Sequence, residues 1–353
     1  MGEYTAAEIT LKHSKSLFSQ TNPLHHTAVP LAQGDNLRDQ FIPLNRQFNN
    51  IQEQIALIPP TSRGLIEVRA GEISTDHQTL RNAALRQYQQ AQTTAPTASL
   101  RLQALTQEFL MTIDLVATKA TPDWSAVNAL RQQIQAHLDQ LPLSSTRLYI
   151  RLNLATGLLK LQEQETAALT PVDLTELLHQ TLQDARDLGD RRAEAEALSQ
   201  LGRDYELQQH WEIAQQFTQS ALTLAQANSE TDLTYNLSWQ LGRLQYAQGN
   251  LKEAIVSYNN AIQALNTLRN DLNTASTEVR FSFRDTVDPI YREMVSLLLN
   301  QDTSNTPHPE NIIQARNLIE SLQLSELVNF FQTDCDVSNL SQIDNIDPHS
   351  AVF

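Results

Sequence analysis

The sequence repeats itself at an offset of 40 residues near its centre. A Gln-Leu-Gly-Arg run ends at Arg203, and the same four residues recur in a run that ends at Arg243. Twelve residues beyond the glycine of each run stands an alanine, Ala214 or Ala254, and a second alanine follows seven residues later. A fixed period of this kind is typical of stacked units, each of which buries its apolar face only against its neighbours. The chain is therefore predicted to be an array of similar units.

Each unit is predicted to be two helices joined by a tight turn. Hydrophobic residues make up 41% of the chain, with only 9 glycines and 13 prolines, and Leu, Ala and Gln are the most frequent residues, which favours helices over strands. Gly202 and Gly242 stand inside first helices, where glycine costs about 1 kcal/mol relative to alanine, so a close approach of the second helix is expected there. Gly249 and Asn250 form a turn dipeptide. These features predict an all-α fold of helical hairpins.

The spacing of small residues resembles that of the tetratricopeptide repeat. In that family a small residue in the first helix meets two alanines in the second, and Gly242, Ala254 and Ala261 match this spacing. The period of 40 residues is longer than the ~34 residues usual for the family. The resemblance implies a right-handed α-solenoid of tetratricopeptide-like helical hairpins.

The same features divide the central part of the chain. Clear tetratricopeptide-like repeats are predicted over 146–272, beginning with a first helix from about Thr146 to Leu161. Its second helix runs from Leu174 to Leu188 and ends at Gly189, since glycine commonly follows the last turn of a helix. The pattern is weaker over 63–145, which is predicted to hold degenerate repeats of the same type.

The first 62 residues depart from the repeat pattern. Residues 1–21 look like a partial repeat, with Gly2 as a turn residue before Ala7 and Leu11 of a second helix. Five prolines interrupt 22–62, and proline disrupts helix interiors. This segment is therefore predicted to be an insertion or linker around one helix from Leu44 to Leu57.

The C-terminal part carries a second resemblance. Residues 273–332 are predicted to be a helical connector, and the run Leu-Ile-Glu-Ser-Leu-Gln-Leu stands at 318–324. This succession resembles the stretch that joins tetratricopeptide repeats to the caspase-like domain in bacterial, largely cyanobacterial, proteins of the CHAT family. The resemblance implies that 333–353 are a loop and the first residues of a CHAT domain whose remainder is missing. It also implies that the full-length form has a C-terminal caspase-like domain.

Catalysis by the chain as given is not expected. A caspase-like peptidase needs a cysteine nucleophile and a histidine held beside it, and the single cysteine, Cys335, precedes the expected domain. Glu176 and His179 form one Glu-x-x-His, whereas di-iron bundles need two such motifs and two more glutamates. No metal or other cofactor is predicted. The alternative that the chain is a fragment of a caspase-like cysteine peptidase, inactive without its catalytic domain, stays open.

Charge and hydropathy restrict the partners. The chain has 40 acidic and 25 basic residues, a formal net charge of −15, so nucleic acid, which requires Lys and Arg to displace counterions, is not an expected partner. No apolar stretch approaches the ~20 residues of a membrane-spanning helix, and no signal peptide is evident. One cysteine excludes an internal disulfide and fits a reducing compartment. A cytoplasmic protein that does not act at a membrane is expected.

The resemblance to tetratricopeptide arrays implies a partner-binding groove on the first helices. Four positions that helical periodicity turns away from the second helix would line it, and in the later repeat they are Asn236, Trp239, Arg243 and Tyr246. Earlier copies would add the arginines Arg203 and Arg151.

Two interpretations of these residues are open. The arginines could form a basic stripe for a peptide carboxylate or acidic motif, beside aromatic anchors of the kind that dominate interfaces. Alternatively, they pair with Glu196, Glu206 and their neighbours on a solvated face. In either case a scaffold that binds a protein or peptide in the groove, as the recognition or regulatory arm of a CHAT protein, is the predicted function.

Overall fold

The structure is a computed structural model that describes residues 25–57, 63–116, 124–163, 173–275, 288–299 and 308–331. These residues form twelve helices and contain no strand. The helices are α1 His25–Leu57, α2 Gly64–Thr94, α3 Ala98–Val116, α4 Ser125–Leu138, α5 Ser145–Glu163, α6 Leu174–Leu188, α7 Arg191–Leu207, α8 Trp211–Ala227, α9 Thr231–Ala247, α10 Leu251–Ala275, α11 Asp288–Leu299 and α12 Pro309–Phe331. The prediction of an all-α fold is confirmed.

Helices α1 to α10 form five consecutive hairpins in the first of two compact units, which spans residues 1–280. Each odd-numbered helix packs against the even-numbered helix that follows it and against the next odd-numbered helix. The first helices α1, α3, α5, α7 and α9 therefore form one continuous layer, which confirms the predicted α-solenoid of helical hairpins. In the second unit, residues 281–353, α11 packs against α12.

Four successive turns between α6 and α10 have the same geometry. The residues with left-handed φ are Gly189, Gln209, Ser229 and Gly249, with φ values of 68°, 62°, 57° and 79°, at intervals of twenty residues. At each turn the left-handed residue donates its N–H to the carbonyl three residues back, and the next residue donates to the carbonyl five residues back. This pair of backbone hydrogen bonds defines the Schellman motif. The sequence period of 40 is thus two structural steps of twenty.

The glycines inside the repeated helices permit close helix contacts, as predicted. A Cβ added at Gly202 would clash with Thr218 Oγ1 of α8 and lie 3.3 Å from the Ala214 carbonyl oxygen, and one added at Gly242 would lie 2.8 Å from the Tyr258 ring of α10. Gly157 differs, because the nearest atoms around it belong to Phe109 and Ile113 of α3. It therefore spaces two first helices rather than the two helices of one hairpin.

The structure differs from the prediction over 22–62. The single helix α1 covers His25–Leu57 and runs through Pro30 and Pro43, instead of forming a linker around a helix that begins at Leu44. Proline removes one backbone donor, but α1 packs along α2 and contributes a fully buried Phe41 to a shared cluster. Since most helix stability in proteins comes from such tertiary burial, the prolines do not end the helix.

The α1/α2 hairpin repeats a contact found in the last hairpin. A Cβ added at Gly34 of α1 would lie 2.5 Å from Cε1 of Tyr88 in α2, just as one at Gly242 would meet Tyr258. Segment 25–57 is therefore the first helix of a hairpin. The predicted partial repeat at 1–21 and the residues 333–353 assigned to a CHAT domain, including Cys335, lie outside the described residues.

Candidate partner-binding surface

One stripe of α9 carries most of the residues that were predicted to bind a partner. Asp232, Asn236, Trp239, Arg243 and Tyr246 follow one another at intervals of three or four residues, so they lie on one side of the helix. We call this set the α9 stripe. Asn236 is exposed, Trp239 and Arg243 are half-buried, and Tyr246 is 52% exposed. The structure therefore brings all four predicted α9 residues to one surface.

Arg243 is held from two sides. Its guanidinium carbon lies 4.6 Å from the centre of the Trp239 ring, a distance at which a cation is attracted to an aromatic face. Its Nε also donates to Glu206 Oε1 of α7 at 3.0 Å. The Trp239 ring and the Glu206 carboxylate together fix the arginine along the helix surface.

Arg203 is also paired with carboxylates. It donates to Glu163 Oε1 of α5 at 2.8 Å and forms an ion pair of 2.8 Å with Glu206. Glu206 is 8% exposed; burial alone would raise the pKa of its carboxyl, but Arg243 and Arg203 hold it below its ordinary value. Glu206 thus bridges the two arginines, which is the pairing alternative for these side chains and not a free basic stripe.

Arg151 does not belong to this surface. Its side chain is 3% exposed and lies 2.5 Å from Asp184 of α6 and 3.4 Å from Asp139. A buried guanidinium that is already paired with carboxylates is not available to a ligand. The prediction of three arginines in one stripe is therefore wrong at Arg151, because its side chain turns towards α6.

Ion pairs join every neighbouring pair of first helices. Arg38 of α1 pairs with Asp114 of α3 at 3.0 Å, and Lys160 of α5 pairs with the same carboxylate at 2.6 Å. The chain of pairs then continues from α5 to α7 and from α7 to α9 through Glu163, Arg203, Glu206 and Arg243. We call this set the first-helix ion-pair chain. Its pairs from α1 to α7, which involve Arg38, Asp114, Lys160 and Glu163, were not predicted, since residues far apart in sequence gave no spacing signal.

A second group of charges lies at the beginning of α9. Arg192 of α7 pairs with Glu196 at 3.1 Å, with Asp232 at 2.5 Å and with Glu230. We call these three carboxylates and Arg192 the acidic corner. Burial, reinforced by Asp232, raises the pKa of Glu196, whereas the hydrogen bond from Arg192 lowers that of Asp232. Three carboxylates share one cation, so this corner carries excess negative charge.

Two other kinds of site are not found in the part of the chain that the structure describes. No group of three or more His, Cys, Asp or Glu side chains in the described ranges could hold a metal ion. Among the same residues, no helix combines the length and apolar character that crossing a bilayer demands.

Comparison with known proteins identifies distant structural neighbours. No protein-family model matches the sequence, and no curated protein matches it. A Rap protein complexed with competence and sporulation factor is similar over 94% of this chain and 95% of its own, with 13% identity and a TM-score of 0.45. A STAND signal-transduction ATPase with a tetratricopeptide repeat sensor, from Pyrococcus horikoshii, is similar over 87% of this chain and 47% of its own, with 14% identity and a TM-score of 0.38. Both are too distant to indicate a function.

Proposed function

We propose that residues 25–275 form a scaffold that binds a partner protein or peptide along the α9 stripe, without making or breaking a bond. The observation that carries this proposal is the position of Trp239 and Tyr246 on one side of α9, with Tyr246 52% exposed. Aromatic side chains and arginine are the residues that most often dominate interface energetics. Arg243, held over Trp239, adds a rigid polar group between them.

The fixed conformation of these side chains supports binding. A ligand that orders flexible side chains loses about 0.5–1.5 kcal/mol for each one. Trp239 and Arg243 are already in contact with each other, and Glu206 restrains the arginine. A partner would therefore meet a preorganised surface at this place.

Peptide selection against the whole chain tests the proposal. A random peptide display library is selected on the wild type, and the affinity of recovered peptides is measured for Tyr246→Ala and Trp239→Ala. Each substitution should weaken binding about tenfold, as for an interface anchor. Val256→Ala, at a position of α10 that is 58% exposed, is the control and should leave the affinity unchanged. Equal affinity in all variants would show that the α9 stripe is not the binding surface.

We also propose that this scaffold is the recognition or regulatory arm of a cytoplasmic CHAT protein. The support is the resemblance of 318–324, which lie in α12, to the run that precedes the caspase-like domain in that family. The nucleotide sequence downstream of the Phe353 codon tests this proposal. It should continue into an α/β domain that carries a cysteine and a histidine. A continuation into an unrelated domain would overturn it.

The alternative, that the chain is a fragment of a cysteine peptidase, predicts in addition that the complete protein cleaves peptides. A complete protein that cleaves peptides should lose that activity when the downstream cysteine is replaced by alanine. In that case the region 25–275 would still act by binding, as a part of the peptidase.

A further inference from the structure

The charges on the proposed binding surface indicate which peptides it accepts. This inference rests on the proposed function. Arg203 and Arg243, which in isolation would attract acidic ligands, both contact the carboxylate of Glu206. Arg203 is additionally paired with Glu163. These four side chains carry two positive and two negative charges, so the middle of the surface has no net charge to offer.

The excess charge lies at one end of the α9 stripe. In the acidic corner Glu196, Glu230 and Asp232 surround Arg192, which leaves a net formal charge of −2 from three carboxylates and one guanidinium. Asp232 belongs both to the corner and to the stripe, and its side chain is 42% exposed. A ligand that runs along the stripe therefore meets negative charge at the beginning of α9.

Helix geometry sets the distances between this charge and the aromatic residues. With a rise of 1.5 Å per residue, Trp239 lies about 10 Å and Tyr246 about 21 Å along the helix from Asp232. An extended peptide advances about 3.3 Å per residue. These distances correspond to about three residues of peptide to Trp239 and about six to Tyr246.

We propose that the partner is a peptide segment with an apolar or aromatic side chain and a Lys or Arg about three to six residues away, and that Glu206 determines this preference. The apolar side chain lies against Trp239 or Tyr246, and the basic side chain pairs with Asp232 and Glu230. Glu206 neutralises Arg243, and Glu206 together with Glu163 neutralises Arg203, so an acidic peptide finds neither arginine available. Electrostatic complementarity acts mainly on specificity, which is the property at issue here.

The composition of selected peptides is the first test. Peptides recovered from a random display library on the wild-type chain should be enriched in Lys and Arg beside apolar residues and depleted in Asp and Glu. Asp232→Asn combined with Glu230→Gln should weaken a recovered basic peptide about tenfold, as expected when charged contacts are removed. Asp187→Asn combined with Glu176→Gln removes the same charge from exposed positions of α6 and should leave the affinity unchanged.

The Glu206→Gln variant tests the specificity role. The amide keeps the shape of the side chain but removes the carboxylate that neutralises Arg243, whereas Arg203 keeps its ion pair with Glu163. Selection on this variant should recover acidic peptides, and the ratio of affinities for an acidic and a basic peptide should rise about tenfold or more. A loss of stability alone would weaken both peptides together, so the ratio separates the two effects. Circular dichroism of the variant checks that the helices remain.

The outcomes distinguish this inference from the function on which it rests. Acidic peptides that bind the wild type and weaken on Trp239→Ala would retain the binding surface and overturn the charge preference. An unchanged affinity ratio in Glu206→Gln would overturn the role of Glu206. Peptides insensitive to both Trp239→Ala and Tyr246→Ala would contradict the proposed function itself.

Discussion

Two positions of α9 hold aromatic side chains where the equivalent positions of α7 hold polar ones. Trp239 stands 40 residues after Ser199, and Tyr246 stands 40 residues after Glu206. In α7 the carboxylate of Glu206 forms the ion pair with Arg243 that extends the first-helix ion-pair chain to α9. Tyr246 is uncharged and cannot form the equivalent ion pair, so the first-helix ion-pair chain ends at α9. The two substitutions convert a surface that links helices into one that presents aromatic rings.

The same glycine-to-alanine change should have opposite effects at two positions. Gly242→Ala brings a Cβ to 2.8 Å from the buried Tyr258 ring and should lower the free energy of unfolding by about 1–3 kcal/mol, the usual cost of overpacking. Gly71→Ala, inside α2, has no atom within 4 Å of the added Cβ and should raise it by up to about 1 kcal/mol. Urea unfolding measures both. Two changes of equal sign would contradict the close contact at Gly242.

The partly buried carboxyl of Asp35 should make the α1/α2 hairpin sensitive to pH. Burial, reinforced by Asp39, raises its pKa to about 6, although Tyr88 donates a hydrogen bond to it. Because the folded-state pKa is raised, the stabilisation is present at acid pH and is lost as the pH rises through about 6. Asp35→Asn should therefore reduce the difference in unfolding free energy between about pH 5 and about pH 7.5.

An exposed aspartate of the same hairpin provides the control for Asp35. Asp76 is exposed on α2 of the same hairpin, and Asp76→Asn removes the same charge from the chain. Thermal unfolding followed by circular dichroism at both pH values compares the two variants with the wild type. If Asp76→Asn and Asp35→Asn changed the pH dependence equally, burial of Asp35 would not be its cause.

At the scale of the helix turn, the four Schellman motifs differ in strain. Two of the left-handed positions are glycines and two are Gln209 and Ser229. A side chain in the left-handed region costs about 1–2 kcal/mol, which glycine avoids. The fold thus accepts this cost twice to keep its turns alike.

Glycine at the two strained turns should stabilise the chain. Gln209→Gly and Ser229→Gly should each raise the free energy of unfolding by about 0.5–1 kcal/mol, the relief being partly offset by the greater freedom of glycine in the unfolded chain. The reverse change, Gly249→Gln, should lower it by about 1–2 kcal/mol. Chemical denaturation reports all three. A stabilising Gly249→Gln would mean that the backbone there is not left-handed.

Helices were predictable from sequence where their signals were local. The bounds of α6 follow from Leu174, Leu188 and Gly189 and were confirmed. The extent of α1 was not predictable, because Pro30 and Pro43 are strong local signals against a helix, while the packing that overrides them involves α2, distant in sequence. The turns at Gln209 and Ser229 were missed for a different reason, since neither residue type marks a left-handed position.

At the scale of the whole array, a destabilising substitution in one hairpin should affect mainly that hairpin and its neighbours. Leu237 of α9 is fully buried, and Leu237→Ala should cost about 2–5 kcal/mol. Since the described helices of each hairpin pack mainly against those of adjacent hairpins, amide hydrogen exchange should rise most in α9 and α10, less in α7 and α8, and little in α1 to α3. A uniform rise along α1 to α10 would indicate one cooperative unit instead.

In the candidate surface, the contacts between different helices were not predictable from the sequence. The resemblance to tetratricopeptide arrays, together with helical periodicity, placed Asn236, Trp239, Arg243 and Tyr246 on one side of a helix, and they lie there in the structure. It could not decide whether the arginines were paired, because that depends on how far α5, α7 and α9 stand apart. The prediction for Arg151 was wrong for a related reason, because the direction of its side chain depends on Asp184 of another helix.

The turns at twenty-residue steps share one geometry, so the α7/α8 hairpin is a unit that can be removed whole. Excision of 191–230 would join Asp190 to Thr231 at a junction of the same geometry. Arg243 would then come to the place of Arg203 opposite Glu163, and Gln240 to that of Gln200 beside Thr156. Copy number could therefore change by whole hairpins without a new turn geometry, and the repeated Gln-Leu-Gly-Arg run would keep its place against α5. Gene duplication and deletion would thus alter the length of the layer of first helices in steps of one hairpin.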